Sequence, residues 1–434
     1  MKKEEREDYL FQKKCLLVLL FLYYLNDISY EQIVLRSFGF TFDPSCNFRV
    51  IVRSKKDHTH KYTIHIFDSL NGVNLNNLDL MGNINFIKVK KIDNIDFFKP
   101  EAGLNVYFDG AQFTALGYLE GKYFERSYRK NKSAVTDELL YHLSNDFKNT
   151  NINSSAPSFI LWLTRFYTSK LHTDLVIGAG INIEYGPKDW NGLIDALNND
   201  FYKGDYRFAN EIQHYVGKEL FTSSMVLKTS GFDPYKSLNR ELYLFKPIKG
   251  FDDPQSTLYS CVTFILNHTG TSVITYNYDT NLEYVLRKRN AKYTTIYDDS
   301  SFVDKDSGVD IYHVHGLLPY DKYDEKRYTN SLIFNESEYY FLYNNPYSWN
   351  ISKQLHDFKF NTCLFIGSSL TDPDMKRLLE LAKNYLKFNF IFMKKEENYS
   401  ETVFKDMTAY FFTFDLIVIW VDSYNDIGRY LDNI

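Results

Sequence analysis

Apolar residues in this chain come in short runs that break off at Gly, Asn or Asp, and their period changes twice along the sequence. From Met1 to about Arg36 the spacing is helical. A polar opening leads into the Leu-rich run Cys15 to Leu25, which pauses at Asn26-Asp27 before Tyr30, Ile33 and Val34. Phe48 to Val52, Tyr62 to Phe67 and Phe86 to Val89 then alternate or run apolar between Gly, Asn and Asp clusters, which predicts short strands. Together these make a small α+β domain over 1–155. Its end is marked by the stretch Asn131 to Ser155, rich in Asn, Ser, Asp and Lys apart from one helical segment, Thr136 to Leu143.

The period changes again at Phe159. Phe159 to Leu171 is apolar at helical spacing, and from there strands and helices alternate. The strands are Leu175 to Ile177, Val273 to Tyr276, Ile311 to Val314, Cys363 to Ile366, Phe388 to Phe392 and Leu416 to Trp420. The helices are Trp190 to Leu197, Thr280 to Arg289, Ser352 to Phe358 and Met375 to Leu386. Such alternation predicts an α/β fold for 156–434, a Rossmann-like parallel sheet covered on both faces. A helical insertion at about 201–270 has little strand character and is expected to form a lid over the sheet's carboxyl edge.

Composition removes several function classes. With 50 Lys+Arg against 55 Asp+Glu the net charge is -5, which argues against bulk nucleic acid as a partner. Cys15, Cys46, Cys261 and Cys363 form no C-x-x-C pair, so neither a thiolate zinc site nor a disulfide framework is suggested, and a reduced cytoplasmic protein is expected. The run at Cys15 to Leu25 is shorter than the roughly 18 apolar residues of a membrane span. Glu4, Glu5, Glu7 and Asp8 before it speak against a signal peptide. Aromatic residues reach 18% but are spread along the chain, which points to well-filled cores and subunit contacts more than a base-stacking platform. His58 and His60 sit among Lys55, Lys56 and Lys61 and read as a charged hairpin end, without a third metal ligand nearby.

The candidate chemistry lies where strands end. Gly178-Ala179-Gly180, after the run Leu175-Val176-Ile177, can turn sharply and approach a pyrophosphate without a Cβ in the way; the alternative is a plain strand-to-helix turn. Ile183 stands where a G-x-G-x-x-G fingerprint has its third glycine, which disfavours a hydride-transfer enzyme. Asn277 and Asp279 follow Val273-Ile274-Thr275-Tyr276, an amide and a carboxylate suited to ribose hydroxyls and a carboxamide; the alternative is a turn that caps the next helix. His315, before Gly316, is placed as a titratable group at the sheet edge, with His313 deeper in the strand. Gly367 and Ser368 open another strand-to-helix turn suited to phosphate or adenosine ribose, in which Asp372 before Pro373 reads as an N-cap.

Taken together these motifs resemble the Sir2-like family. Gly178-Ala179-Gly180-Ile181 is similar to its GAG motif, Thr275-Tyr276-Asn277-Tyr278-Asp279 to its T-x-N-x-D segment, and Val314-His315-Gly316 to the strand end with its catalytic histidine. Gly186-Pro187 with Trp190, and Gly367-Ser368-Ser369-Leu370-Thr371-Asp372-Pro373, resemble the branch found in bacterial antiphage systems. The zinc module of four cysteines that marks sirtuin deacylases is missing, and Asn182 stands where they usually have serine. The resemblance therefore implies NAD+ as substrate with no metal, cleaved to nicotinamide and ADP-ribose. Asn277 and His315 would be catalytic; Gly178, Ala179, Gly180, Ile181, Asn182, Asp279, Gly367 and Ser368 would bind the dinucleotide. It also implies a homo-oligomer answering to a phage trigger or a co-encoded defence partner, with no membrane role. Two alternatives stay open: a deacylase or ADP-ribosyltransferase, and a non-catalytic NAD+ or ADP-ribose sensor.

Overall fold

The structure is a computed structural model. It describes Leu17, five strands between residues 48 and 129, and residues 159–434 apart from 186–189, 204–231 (except 211 and 214), 244–252, 255, 300, 302–307, 323–324, 335–337, 341–344, 346 and 384–386. The helix read over Met1 to Arg36, the strand Phe86 to Val89, the linker Asn131 to Ser155, His58, His60 and Gly186-Pro187 lie outside the described residues.

The chain divides into two compact units, 1–163 with 398–415, and 164–397 with 416–434. In the first, β1 (Phe48–Arg53) pairs antiparallel with β2 (Lys61–Ile66), matching the strands read there. A three-stranded antiparallel meander follows, of β3 (Leu104–Phe108), β4 (Gln112–Leu119) and β5 (Lys122–Arg129).

The second unit is built on seven parallel strands. These are β6 (Thr173–Ile177), β7 (Val273–Thr275), β8 (Tyr293–Ile296), β9 (Val309–His313), β10 (Thr362–Ile366), β11 (Asn389–Lys394) and β12 (Leu416–Val421). They lie in the order β12-β11-β10-β6-β7-β9-β8, and every pairing is parallel. This is the expected α/β, Rossmann-like architecture. β6, β7, β10 and β12 are buried at every position, the state that continuous apolar runs such as Leu364-Phe365-Ile366 predict. β8, an edge strand, was not anticipated from sequence, because Tyr293-Thr294-Thr295-Ile296 is short and neither alternates polar with apolar nor runs apolar.

The order reverses between β6 and β10. Strands that follow β6 run to one side of it, while β10, β11 and β12 run to the other. Right-handed crossovers then place helices Thr257–Asn267 and Asn281–Lys288 on one face and Trp349–Phe360 and Pro373–Ala382 on the other. Such a reversal opens a crevice beyond the carboxyl ends of the two diverging strands.

Within the stretch read as an insertion, the described elements are helical. Helix Pro234–Leu242 starts at Asp233, whose Oδ1 accepts from the amides of Tyr235 (3.0 Å) and Lys236 (3.1 Å). Leu238 packs with Leu193, Leu197, Tyr278, Leu318, Leu332 and Phe334. Asn239 Nδ2 donates to Pro319 O (3.1 Å), and the Tyr243 hydroxyl donates to Leu318 O (2.9 Å) and accepts from the Thr280 amide (3.0 Å). Those partners follow β7 and β9, so this helix does lie at the carboxyl edge. Among the described residues no helix is long and apolar enough to cross a membrane.

Candidate functional site

The crevice is formed where two glycine turns meet. After β6 the chain enters a 3-10 helix, Ala179–Tyr185, instead of opening an α-helix directly. The Gly178 amide donates to Ile366 O (3.0 Å), the Gly180 amide to Gly367 O (2.8 Å) and the Ile181 amide to Gly178 O (3.3 Å). A Cβ on Gly178 would fall 2.5 Å from Gly367 O, and one on Gly180 would fall 2.8 Å from the same atom. The glycines thus make room for the loop after β10. The parts of the two turns left partly exposed are Ala179-Gly180 and Gly367-Ser368.

Gly367 completes the contact with φ +68°, and a Cβ there would lie 2.4 Å from Ile181 N. Gly367→Ala is therefore expected to lower stability by about 1–3 kcal/mol, through left-handed strain and overlap. Urea unfolding checks this, and an unchanged midpoint would show that the two turns separate at little cost.

Asn277 and Asp279 lie past the end of β7 and are both buried. Asn277 Nδ2 donates to Gly178 O (3.2 Å), and its backbone carbonyl bonds His313 Nδ1 (2.9 Å). Asp279 Oδ2 accepts from Asn182 Nδ2 (2.8 Å), while Oδ1 accepts from the Asn281 amide (3.0 Å) in the first turn of helix Asn281–Lys288. The capping reading describes Oδ1, which supports the helix, while Oδ2 joins the strand ends through Asn182. Buried Ile181 packs inside the turn.

Burial raises the Asp279 pKa from 3.8 to about 6, against the amide of Asn281 and the charge of His313, which pull it down. A carboxyl with a higher pKa folded than unfolded favours folding below pH ~4 and loses that contribution as pH rises through ~6. Asp279→Asn should therefore be more stable than the parent at pH 8 by about 2–3 kcal/mol, with the gain vanishing towards pH 4. Parallel unfolding midpoints of parent and variant from pH 4 to 8 would remove the argument.

His313 is buried in β9, and its Nε2 meets Glu283 Oε1 (2.8 Å). Burial alone would lower its pKa, but Glu283, the Asn277 carbonyl and Asp279 together offset this and the pKa is raised. As expected from its depth, His313 braces the Asn277 backbone. His315, two residues on, is 4% exposed. Its ring meets Tyr276 (centroids 4.9 Å) and Tyr339 (5.4 Å) nearly at right angles. Nε2 lies 3.7 Å from Asp372 Oδ2 and has no hydrogen-bond partner. Asp372 is also the expected N-cap: its Oδ1 accepts from the Met375 amide (2.9 Å). Ser368 Oγ accepts weakly from the Leu370 amide (3.4 Å) and contacts Met375 Sδ (3.5 Å).

Residues 271–410 match the family model described as the SIR2-like domain. The SIR2-like stretch contains Asn277, Asp279, His315, Gly367 and Ser368, and begins after Gly178 to Asn182. Among solved structures, one chain described as "Structural Basis for the Mechanism and Regulation of Sir2 Enzymes" is similar at 12% identity over 62% of this chain and 94% of that one, with a TM-score of 0.30. Comparison with curated proteins found no match.

The geometry thus joins Gly178, Gly180 and Gly367 to one another, Asn277 to Gly178, and Asn182 to Asp279. His315 reaches this group through Tyr276. Sequence reasoning missed the packing of Tyr276 and Tyr339 on His315 and the proximity of Asp372 to it. A tyrosine carries no positional signal when so many punctuate the chain, and an Asp before Pro already has a complete explanation as a cap. Among the described residues no group of three His, Cys, Asp or Glu side chains is arranged to hold a metal.

Proposed function

We propose that this chain is an NAD+ glycohydrolase that releases nicotinamide and ADP-ribose. The observation that carries the reading is the reversal of strand order between β6 and β10, where two partly exposed glycine turns are backed by buried Asn277 and flanked by buried His315. Open parallel sheets bind ligands at such a point. The SIR2-like match over residues that include both side chains supports an NAD-related ligand.

In this reading the phosphates and adenosine ribose face Gly367 and Ser368, and the nicotinamide faces Asp279. Departure of nicotinamide leaves positive charge on an oxocarbenium-like ribose. Asn277 aligns that ribose and the attacking water, and His315 takes a proton from the water or from a ribose hydroxyl. His315 is covered by two tyrosines, so an uncovering step precedes contact with substrate. That suits an antiphage effector that stays silent until a phage trigger or a co-encoded partner acts, with the first unit, 1–163 and 398–415, serving assembly or regulation of a homo-oligomer in the cytoplasm.

The test is mass spectrometry of NAD+ incubated with the purified chain, alone and in lysate from phage-infected cells expressing it. Free ADP-ribose with nicotinamide is the expected result. A modified acceptor would replace hydrolysis with transfer, and tight binding without nicotinamide release under both conditions would make the chain a sensor.

A further inference from the structure

The turn after β10 delivers a carboxylate to the histidine in a fixed orientation. Asp372 caps helix Pro373–Ala382 through Oδ1, and its Oδ2 accepts from the Tyr339 hydroxyl (3.2 Å). Two bonds on two oxygens hold the carboxyl group with Oδ2 towards His315 Nε2, at 3.7 Å. That distance is an ion-pair contact, a few tenths of an ångström beyond a hydrogen bond. Buried polar nitrogens are nearly always bonded, so a buried Nε2 with one carboxylate oxygen in reach calls for an explanation.

The other groups around the ring bring no charge. Tyr276 and Tyr339 pack against its faces, and burial raises the pKa of both, so they stay neutral at physiological pH. The Tyr276 hydroxyl is engaged by Gln354. Asp374, next in the same turn, acts on the two tyrosines from farther away.

We propose that Asp372 is the positioning carboxylate of His315, orienting the ring through Nε2–H and stabilising the imidazolium once His315 has accepted a proton. The proposal rests on the reading of His315 as the base and extends it to a residue whose evident task is capping. The tautomer follows: with Nε2–H directed at Asp372, Nδ1 takes the proton as the O–H bond of water breaks and its oxygen bonds the ribose carbon. Asp372 stays ionised throughout.

The experiment uses Asp372→Asn in the full chain. Asn caps helices as well as Asp, so the variant removes the charge and keeps the cap. The readout is the tautomer of His315, followed through its imidazole nitrogen resonances by NMR and assigned by their loss in His315→Ala. In Asp372→Asn the cap keeps the amide oxygen, so Nδ2 takes the place of Oδ2 and faces Nε2 with a donor. The ring is therefore expected to change from Nε2–H to Nδ1–H while the melting temperature holds. Tyr339→Phe releases Oδ2 from the competing hydroxyl and is expected to keep the Nε2–H form. In turnover, Asp372→Asn is expected to lower kcat for NAD+ about tenfold and leave KM nearly unchanged. A tautomer equal to the parent's in Asp372→Asn overturns the pairing, whether or not the chain cleaves NAD+. An inactive parent whose tautomer still changes in Asp372→Asn overturns the NAD+ glycohydrolase reading and leaves the pairing standing.

Discussion

Alanine at His315 is expected to reduce NAD+ cleavage by roughly 10²–10⁴-fold, the range that a positioned acid or base supplies. The fold should tolerate the change. His315 Nε2 bonds no protein atom, so no partner is orphaned, and Asp372 keeps its cap and its tyrosine. Asn277→Ala is expected to match that loss in turnover for a different reason. It removes the amide that would align ribose and water, and with it the donor to Gly178 O, at a structural cost of about 1 kcal/mol. The measurement is nicotinamide release by purified variants whose circular dichroism and melting temperature match the parent's. Turnover within threefold of the parent in either variant would put the chemistry elsewhere, and His313→Gln is the informative companion. His313 touches the Asn277 backbone and Glu283, so its loss should cost stability before activity.

The parts of this site that were legible in the sequence are those for which strand ends and turn chemistry coincide. Leu175-Val176-Ile177, Cys363 to Ile366 and Leu416 to Trp420 read as strands because a parallel strand buried on both faces needs an unbroken apolar run. The polar residues just beyond such runs had to lie along the carboxyl edge, Asn277, Asp279, His315 and Gly367 among them. Strand order was not legible. Nothing local says that β10 lies beside β6, and without that neighbour the glycines of Gly178-Ala179-Gly180 have only the explanations of a phosphate or a plain strand-to-helix turn. With it, Gly367 fills the space their missing Cβ atoms leave. β8 escaped because Tyr293-Thr294-Thr295-Ile296 is short and neither alternates nor runs apolar, and Tyr339 because it reaches His315 from a helical stretch, 338–340, away from the strand ends.

A charged network at the opposite, amino end of the sheet carries the largest expected effect on stability. Asp174, beside Thr173 at the start of β6, is fully buried; its Oδ1 accepts from the Ser272 amide (3.1 Å) and hydroxyl (2.7 Å), and its Oδ2 from Asn361 Nδ2 (2.7 Å). These bonds join the starts of β6, β7 and β10. Lys353 pairs with buried Asp357 (2.8 Å), donates to the Ser272 hydroxyl (3.0 Å) and lies over the Tyr312 ring (4.4 Å). Burial would raise the Asp174 pKa, but His172, Lys353, Ser272 and Asn361 together bring it down to about 2, whereas burial and the neighbouring Asp174 raise that of Asp357. A lowered carboxyl pKa stabilises the fold above the ordinary value of 3.8 and is lost as pH falls through about 2.

Lys353→Met leaves two buried carboxylates without their ammonium partner, with only the solvent-exposed imidazoles of His172 and His356 beside them, and breaking a buried pair on one side costs about 3–5 kcal/mol. Adding Asp357→Asn to it removes one of the uncompensated charges, so the double variant should recover part of that loss and the cycle should show strong coupling. Urea unfolding of the parent, both single variants and the double variant measures it. A Lys353→Met cost under about 1 kcal/mol would show that water already screens the network. Because these residues sit at the amino ends of the strands, turnover per folded molecule should be unchanged in all four proteins, so that loss of stability and loss of chemistry are read at opposite ends of one sheet.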